Sequence, residues 1–472
     1  MNNKAATEAK LSRGGRPLAR ARSRPLRSSL LLLVGALIPP LVLILAVAWH
    51  GRNVPYWDEW EMVPLLEKLV RGEFGFGDLW VQHNEHRHIF AWIVMLLLMR
   101  WSDWNIFYEL YANVAIAMLS FFFLWRLIRE TTAKADPGLA TWLVLPASLF
   151  SFSLIQYENW ASGFQMPLFM NQLGAVIVAW GLARWPGGWR GLAVACGGAL
   201  LAVFSFASGI GLLLLIPVAV LLQGGPRKVL LLILSLAAGA IIAGFYFGGY
   251  RLPGNPRGFL NLWFDPLAYI EFVLAYLGAP LSARNGALSI AFGLLGLLSL
   301  IGSAHWLWRS APMVRPLVTP WALLAAYALM SAMVTGMGRG ESGVKGAMAS
   351  RYTTLSSLFW IATSAVTALA FTLHRSRRRS SGAGNLLPGA SMAALAIAIA
   401  LGYLSSYNFG WYRFEARGRQ LSRGGECLLA YRNASDACLG ELYPDPAELR
   451  RRAKILESLE VGPFARKSAQ AR

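Results

Sequence analysis

Charge is scarce in this chain. Of its 472 residues only 14% are Asp, Glu, Lys or Arg, where a soluble domain carries about 25%. With 56% hydrophobic residues and a mean hydropathy of +0.46, an ordinary soluble fold is excluded. Apolar runs recur near the ~20 residues needed to cross a bilayer. They lack the short alternating segments of a transmembrane β-barrel. The fold class expected is therefore an all-α polytopic membrane protein. Acids are the scarcer sign, 24 against 44 Lys and Arg, for a net charge of +20. The basic excess sits in short loops beside apolar runs, so membrane topology explains it and nucleic acid is not an expected partner. No internal repeat and no soluble nucleotide-sugar domain is visible. Of three cysteines, Cys196 lies in an apolar run and reads as an inert core residue.

Residues 1–28 are basic and Pro-interrupted and are read as a disordered cytoplasmic tail. The apolar run from Leu30 to Trp49 is too long for a signal-peptide core and has no small-residue cleavage site after it, so it reads as a retained first helix. About eleven spanning helices are expected, near 30–49, 106–126, 139–156, 165–183, 190–207, 209–223, 229–249, 286–307, 317–335, 352–373 and 387–405. Counted from a cytoplasmic N-terminus, this alternation places the basic connections near Arg126–Lys134, Arg184–Arg190, Arg227–Lys228, Arg309–Arg315 and His374–Arg379 all inside. The runs 89–99 and 269–281 are too short, or too interrupted by Gly278 and Pro280, to be counted; the first reads as an interfacial helix. The division expected is a transmembrane domain over 29–405, whose first external loop is 50–105, followed by a small periplasmic tail over 406–472. In the tail, an Asp-Pro start and helical spacing of Leu and Ile predict a helix in DPAELRRRAKILESLEVG. Cys427 and Cys438 lie there in an expected oxidising compartment, and a disulfide between them is expected.

What charge there is gathers in the outer loops. PYWDEWE puts Asp58, Glu59 and Glu61 between tryptophans, residues that favour headgroup depth. Partly buried neighbouring carboxylates have raised pKa values and can accept a proton from a hydroxyl or hold a divalent cation. Half of the six histidines fall in QHNEHRH, residues 82–88. His83, Glu85 and His86 are weak candidate metal ligands without the HExxH pattern, and Arg87 is a candidate phosphate ligand. In QYENW, Glu158 and Asn159 suit sugar hydroxyls and Trp160 a sugar face. Arg339, Lys345 and Arg351 are cations on the side the charge rule disfavours, which asks for an anionic partner such as a lipid phosphate.

This pattern resembles the membrane-embedded glycosyltransferases of the C fold (GT-C), which include the protein O-mannosyltransferases and the enzyme that adds aminoarabinose to lipid A. PYWDEWE, QHNEHRH, QYENW…GFQ and SRY also resemble a family of uncharacterised bacterial membrane glycosyltransferases. In the GT-C enzymes a large first external loop begins with an acidic pair holding the catalytic base and continues with interfacial helices. A second external turn often carries another acid. Asp58-Glu59 falls at the position of the first pair, Glu158 at that of the second, and His88 resembles the start of an interfacial helix. The resemblance implies a GT-C-like bundle in a bacterial inner membrane. It implies transfer of a sugar from a polyprenyl-phosphate donor to a glycan, lipid or protein acceptor on the outer face. The catalytic candidates are Asp58, first, and Glu59. The substrate-binding candidates are His86, Arg87, Glu158, Asn159, Trp160, Arg339, Lys345 and Arg351. A transporter or flippase for lipid-linked glycans is the alternative; it asks for charged groups near the midplane of the spans, and the spans are almost free of them.

Overall fold

The computed structural model describes residues 26–251, 265–282, 284–381 and 387–465. The expected tail 1–28 falls mostly outside the described residues; from Leu26 the chain is helical, and Leu26–His50 is the first helix. Among the described residues the secondary structure is helical throughout, apart from one isolated bridge between His83 and His86. Among the described residues, eight helices are long and apolar enough to cross a membrane. This is a multi-pass membrane protein.

Eight is fewer than the eleven expected, and the difference is instructive. Trp189–Val203 and Ile210–Gln223 have 15 and 14 residues, about 22 Å of helix at 1.5 Å per residue. The apolar run continues past Val203, but the helix does not. Asn171, from the neighbouring helix Met166–Arg184, donates to the carbonyls of Ala202 and Phe206 (3.0 and 3.2 Å) and so holds the chain in a turn. The eleventh expected span, 387–405, is the first part of one 43-residue helix, Leu387–Leu429, which runs without a break through the expected boundary at 405.

The two uncounted runs also form helices, Ile89–Trp101 and Pro266–Ser282. Both ends of each contact the same face of the bundle. The first begins beside Phe204 and Ser205, and the turn after it returns to Asn53 through the Ile106 N–H. The second begins with Tyr269 against Gly336 and ends where Gly286 meets Val344. Neither changes the parity of the chain. As a result the regions expected outside, 50–105, 156–165, 335–352 and the tail, converge on one face. Arg184–Glu130 and Arg377–Ser310 join the basic loops on the other.

Two cores result. One fills the bundle between the spans. The second lies at the outer face, where Trp60, Met62, Val63 and Leu66 of the first loop pack with Leu421, Leu428, Leu442, Leu449 and Leu456 of the tail. The predicted tail helix is Pro446–Leu459, with Asp445 accepting from the Ala447 and Glu448 N–H groups as an N-cap.

Candidate active site

Where the outer loops meet the helix ends there is a cavity of about 600 Å³. Trp57 and Asp58 line it from the first loop, His83, Glu85, His86 and His88 from the histidine turn, and Arg339 and Arg351 from the region between the last two long spans. The structure thus brings together six expected residues, Asp58, His83, Glu85, His86, Arg339 and Arg351. It does not bring Glu59, Arg87, Glu158, Asn159, Trp160 or Lys345 to the cavity wall.

The acidic turn explains why adjacent acids part ways. Trp57–Met62 is a 3₁₀ helix, and Glu59 is buried beneath it. Its carboxylate accepts from the Tyr56 N–H (2.7 Å), the Gly163 N–H (2.6 Å) and the Ser162 hydroxyl (3.1 Å), tying the first outer loop to the second. Gly163 is required there: a Cβ would lie 1.9 Å from Glu109 Oε2. Burial pushes the Glu59 carboxyl up to about 7, against the hydrogen bonds that favour its charge. Trp57 adopts φ +51°, a left-handed conformation costing on the order of 1–3 kcal/mol for a non-glycine residue. With Glu59 anchored below, this bend leaves Asp58 exposed on the cavity wall. Glu61 points the other way, to Arg452 (2.9 and 3.1 Å) and the Tyr443 hydroxyl (2.6 Å) of the tail. Burial alone would raise the Glu61 carboxyl; these partners win and hold it below its ordinary value.

The histidine turn is pinned to the bundle instead. His83 and His86 exchange backbone hydrogen bonds of 2.9 and 2.8 Å around a tip where Asn84 has φ +50°. Arg87 is buried and donates to the carbonyls of Trp80, Tyr246 and Gly248, the last two at 2.8 and 2.7 Å. Its donors are therefore engaged by backbone, and it serves as a staple between this turn and the helix Lys228–Phe247. His88 Nδ1 donates to the Ser205 carbonyl at 2.6 Å. His86 Nδ1 accepts from the Ala207 N–H at 3.1 Å, and the ring stacks on Phe206 at 4.0 Å. The proton of neutral His86 is then on Nε2, 3.7 Å from Glu85 Oε1, and the same oxygen lies 3.7 Å from the Arg339 guanidinium. Burial, helped by His83 and Arg339, pushes His86 down to about 3, and burial holds His88 well below its ordinary value. Both imidazoles are neutral. Among the described residues no three His, Cys, Asp or Glu side chains come together closely enough to hold a metal ion. His83, Glu85 and His86 thus do not form a metal site on their own.

The second outer turn is a frame for Arg351. The Glu158 N–H donates to Ser350 Oγ (3.1 Å), and the Glu158 carboxylate accepts from the Arg351 N–H (3.2 Å). Asn159 Nδ2 donates to the Arg351 carbonyl (3.1 Å) and to Thr354 (2.7 Å). Trp160 is buried, stacks on Phe169 at 4.5 Å and donates to the Ser153 carbonyl. These residues hold the Ser350–Tyr352 turn in place from beneath. Lys345 is exposed and off the cavity. Sequence reasoning missed Phe206, Ser208, Tyr276, Ser331 and Thr335, which also line the cavity. For Phe206 and Ser208 a signal existed: SFASG interrupts an apolar run with two serines and a glycine. For the other three there was none, since Ser331 and Thr335 lie inside a span and Tyr276 inside the apolar helix Pro266–Ser282. In the tail, Cys427 and Cys438 are joined in a disulfide.

No family model matches the chain, and no curated protein matches it. Among solved structures it is similar to the archaeal oligosaccharyltransferase AglB from Archaeoglobus fulgidus, in complex with an inhibitory peptide and a dolichol-phosphate. The identity is 14%, with a TM-score of 0.45, over 88% of this chain and 59% of that one. The chain therefore spans about three fifths of the length of the protein it resembles.

Proposed function

We propose that the chain is a membrane glycosyltransferase that moves a sugar from a polyprenyl-phosphate donor to a glycan or lipid acceptor on the outer face of a bacterial inner membrane. The observation that carries this reading is the composition of one cavity wall: an exposed carboxylate, Asp58, and two guanidinium groups, Arg339 and Arg351, around a space of about 600 Å³. Asp58 takes the proton from the acceptor hydroxyl. The acceptor oxygen forms a bond to the anomeric carbon as the bond from that carbon to the phosphate oxygen breaks. The electron pair leaves with the lipid phosphate, and Arg339 and Arg351 balance its charge. Glu158 and Asn159 hold Arg351 in position. Glu59 anchors the turn that presents Asp58. Neutral His86 and His88, with Phe164 and Phe206, give the sugar an uncharged wall with ring faces to stack on.

The orientation follows from charge. The face opposite the cavity bears the basic loops, which the positive-inside rule assigns to the cytoplasm. The cavity then opens outside, at headgroup depth, where a lipid-linked donor is confined.

The test compares strains carrying wild type, a deletion and Asp58→Asn. Polyprenyl-linked sugars and surface glycans are extracted and identified by mass spectrometry. Accumulation of one lipid-linked sugar and its loss from a surface glycan, in both altered strains, is the expected result. A glycan change in the deletion with Asp58→Asn behaving as wild type would favour a transporter and contradict the assignment.

A further inference from the structure

The turn that carries Asp58 is gripped from outside the membrane. The Trp57 N–H, at the one strained residue of the turn, donates to the Leu442 carbonyl at 2.8 Å. Four positions on, Glu61 meets Arg452, whose side chain is only 8% exposed, and Tyr443. Before the turn, Arg52 Nε donates to Ser422 Oγ at 2.6 Å, and the Arg417 guanidinium lies 4.4 Å from the centroid of the Tyr56 ring. The helix Leu387–Leu429 approaches so closely that a Cβ at Gly418 would lie 2.6 Å from the His50 carbonyl oxygen. Leu442 itself is fully buried in the core shared by tail and loop. The histidine turn has a different support. Its ties run to the carbonyls of Ser205, Tyr246 and Gly248 and to the Ala207 N–H, all at ends of the bundle helices.

We propose that the C-terminal unit, residues 410–464, is a positioning clamp for Asp58, acting through the Leu442 carbonyl and the Arg452–Glu61 pair. The inference rests on the reading of Asp58 as the base. Local hydrogen bonds close the turn around Trp57, from the Tyr56 N–H to Glu59 and from Trp60 Nε1 to the Pro55 carbonyl. A left-handed non-glycine residue persists only where its surroundings impose it; here Glu59 anchors the turn from below, and the contacts that grip it from outside, at Trp57 and Glu61, come from the tail. Arg452 and Tyr443 are positioning residues that touch neither the cavity nor its contents. Removing the Arg452 side chain leaves Glu61 half-buried without its cation, which frees the C-terminal side of the turn and widens the range of directions open to the Asp58 carboxylate.

The experiment uses the full chain in lipid nanodiscs and reads backbone hydrogen exchange by mass spectrometry. Wild type, Arg452→Ala, Arg452→Lys and Asp58→Asn are compared, and each is also scored in cells for accumulation of lipid-linked sugar. In Arg452→Ala, exchange over residues 55–63 is expected to rise at least tenfold, with residues 82–88 and the spans unchanged. Transfer is expected to fall at least tenfold at equal abundance in the membrane, with Arg452→Lys between the two. Unchanged exchange over 55–63 overturns the clamp, as does faster exchange with full transfer. Should Arg452→Ala fail to reach the membrane, Tyr443→Phe and the same two readings decide on the same terms. The two failures separate cleanly. If Asp58→Asn transfers normally, the base reading falls; if Asp58→Asn is inactive and Arg452→Ala is as rigid and active as wild type, only the clamp falls.

Discussion

The acidic turn and the histidine turn both line one cavity, and both mix charged residues with aromatics beside the membrane. They differ in what supports them. The histidine turn is nailed to the bundle, with Arg87 and His88 donating to backbone carbonyls at helix ends. The acidic turn is held from below by one carboxylate, Glu59, and from above by the tail. One turn is thus tied to the helices of the bundle, and the other leans on the C-terminal tail. In each motif only part of the charge faces the cavity. Asp58 and Glu85 line it, while Glu59 and Arg87 are buried, Glu59 bonded to two backbone N–H groups and the Ser162 hydroxyl and Arg87 to backbone carbonyls.

That contrast can be broken in order of effect. The largest change is expected from Asp58→Asn, which removes the proton acceptor and should lower transfer by 10²-fold or more without altering membrane abundance, as read by quantitative immunoblot beside the lipid-linked sugar. Next is Arg87→Met. It strands three carbonyls at the foot of the histidine turn, at about 3 kcal/mol or more, and should lower the unfolding midpoint of the purified protein with a proportional loss of folded material.

The buried acid gives a pH signature. Glu59 titrates near 7 in the folded chain against an ordinary 4.5. The folded state therefore keeps a proton that the unfolded state releases. Its stabilising contribution is full below about pH 4.5 and is lost as pH rises through 7, on the order of 3 kcal/mol in all. Glu59→Gln should flatten that decline in thermal unfolding measured from about pH 5 to pH 8. A decline of the same size in the variant would assign the effect to other groups.

Smaller effects sharpen the difference between the walls. The Cys427–Cys438 disulfide closes a short loop, 11 residues apart in sequence, and contributes about 3 kcal/mol to the tail. Reduction, or the double Cys→Ser change, should loosen the acidic turn and leave the histidine turn as it was, which limited proteolysis at the outer face would register. Lys345→Ala should change transfer least, by less than about twofold, because Lys345 is exposed and off the cavity and a solvated charge contributes little. A large loss there would place the donor phosphate outside the cavity described above.

Much of this was legible in the sequence, for identifiable reasons. Apolar run length located the long spans, and the basic loops gave their alternation, because both follow from one-dimensional physics of the bilayer. The clusters around Asp58, His86 and Arg351 could be found because charge is rare in this chain. Which acid of a pair faces the cavity could not be read. That depends on Glu59 meeting Gly163 and Ser162, a hundred residues away. Arg87, Asn159 and Trp160 looked like ligands for the same reason: buried polar groups bonded to backbone have the same composition as a binding site. The ends of the two short helices were misjudged because Phe204–Ser208 is apolar enough to continue a span, and only the Asn171 side chain shows where the helix stops.

The central claim is that Asp58 does the chemistry while its neighbour Glu59 holds the turn. The most direct measurement sets Asp58→Asn beside Glu59→Gln in the deletion strain and scores lipid-linked sugar per folded molecule in the membrane. The account predicts that Asp58→Asn is fully folded and inactive, and that Glu59→Gln is less stable yet active in the fraction that folds. The reverse pattern, an active Asp58→Asn and a stable, inactive Glu59→Gln, would contradict it.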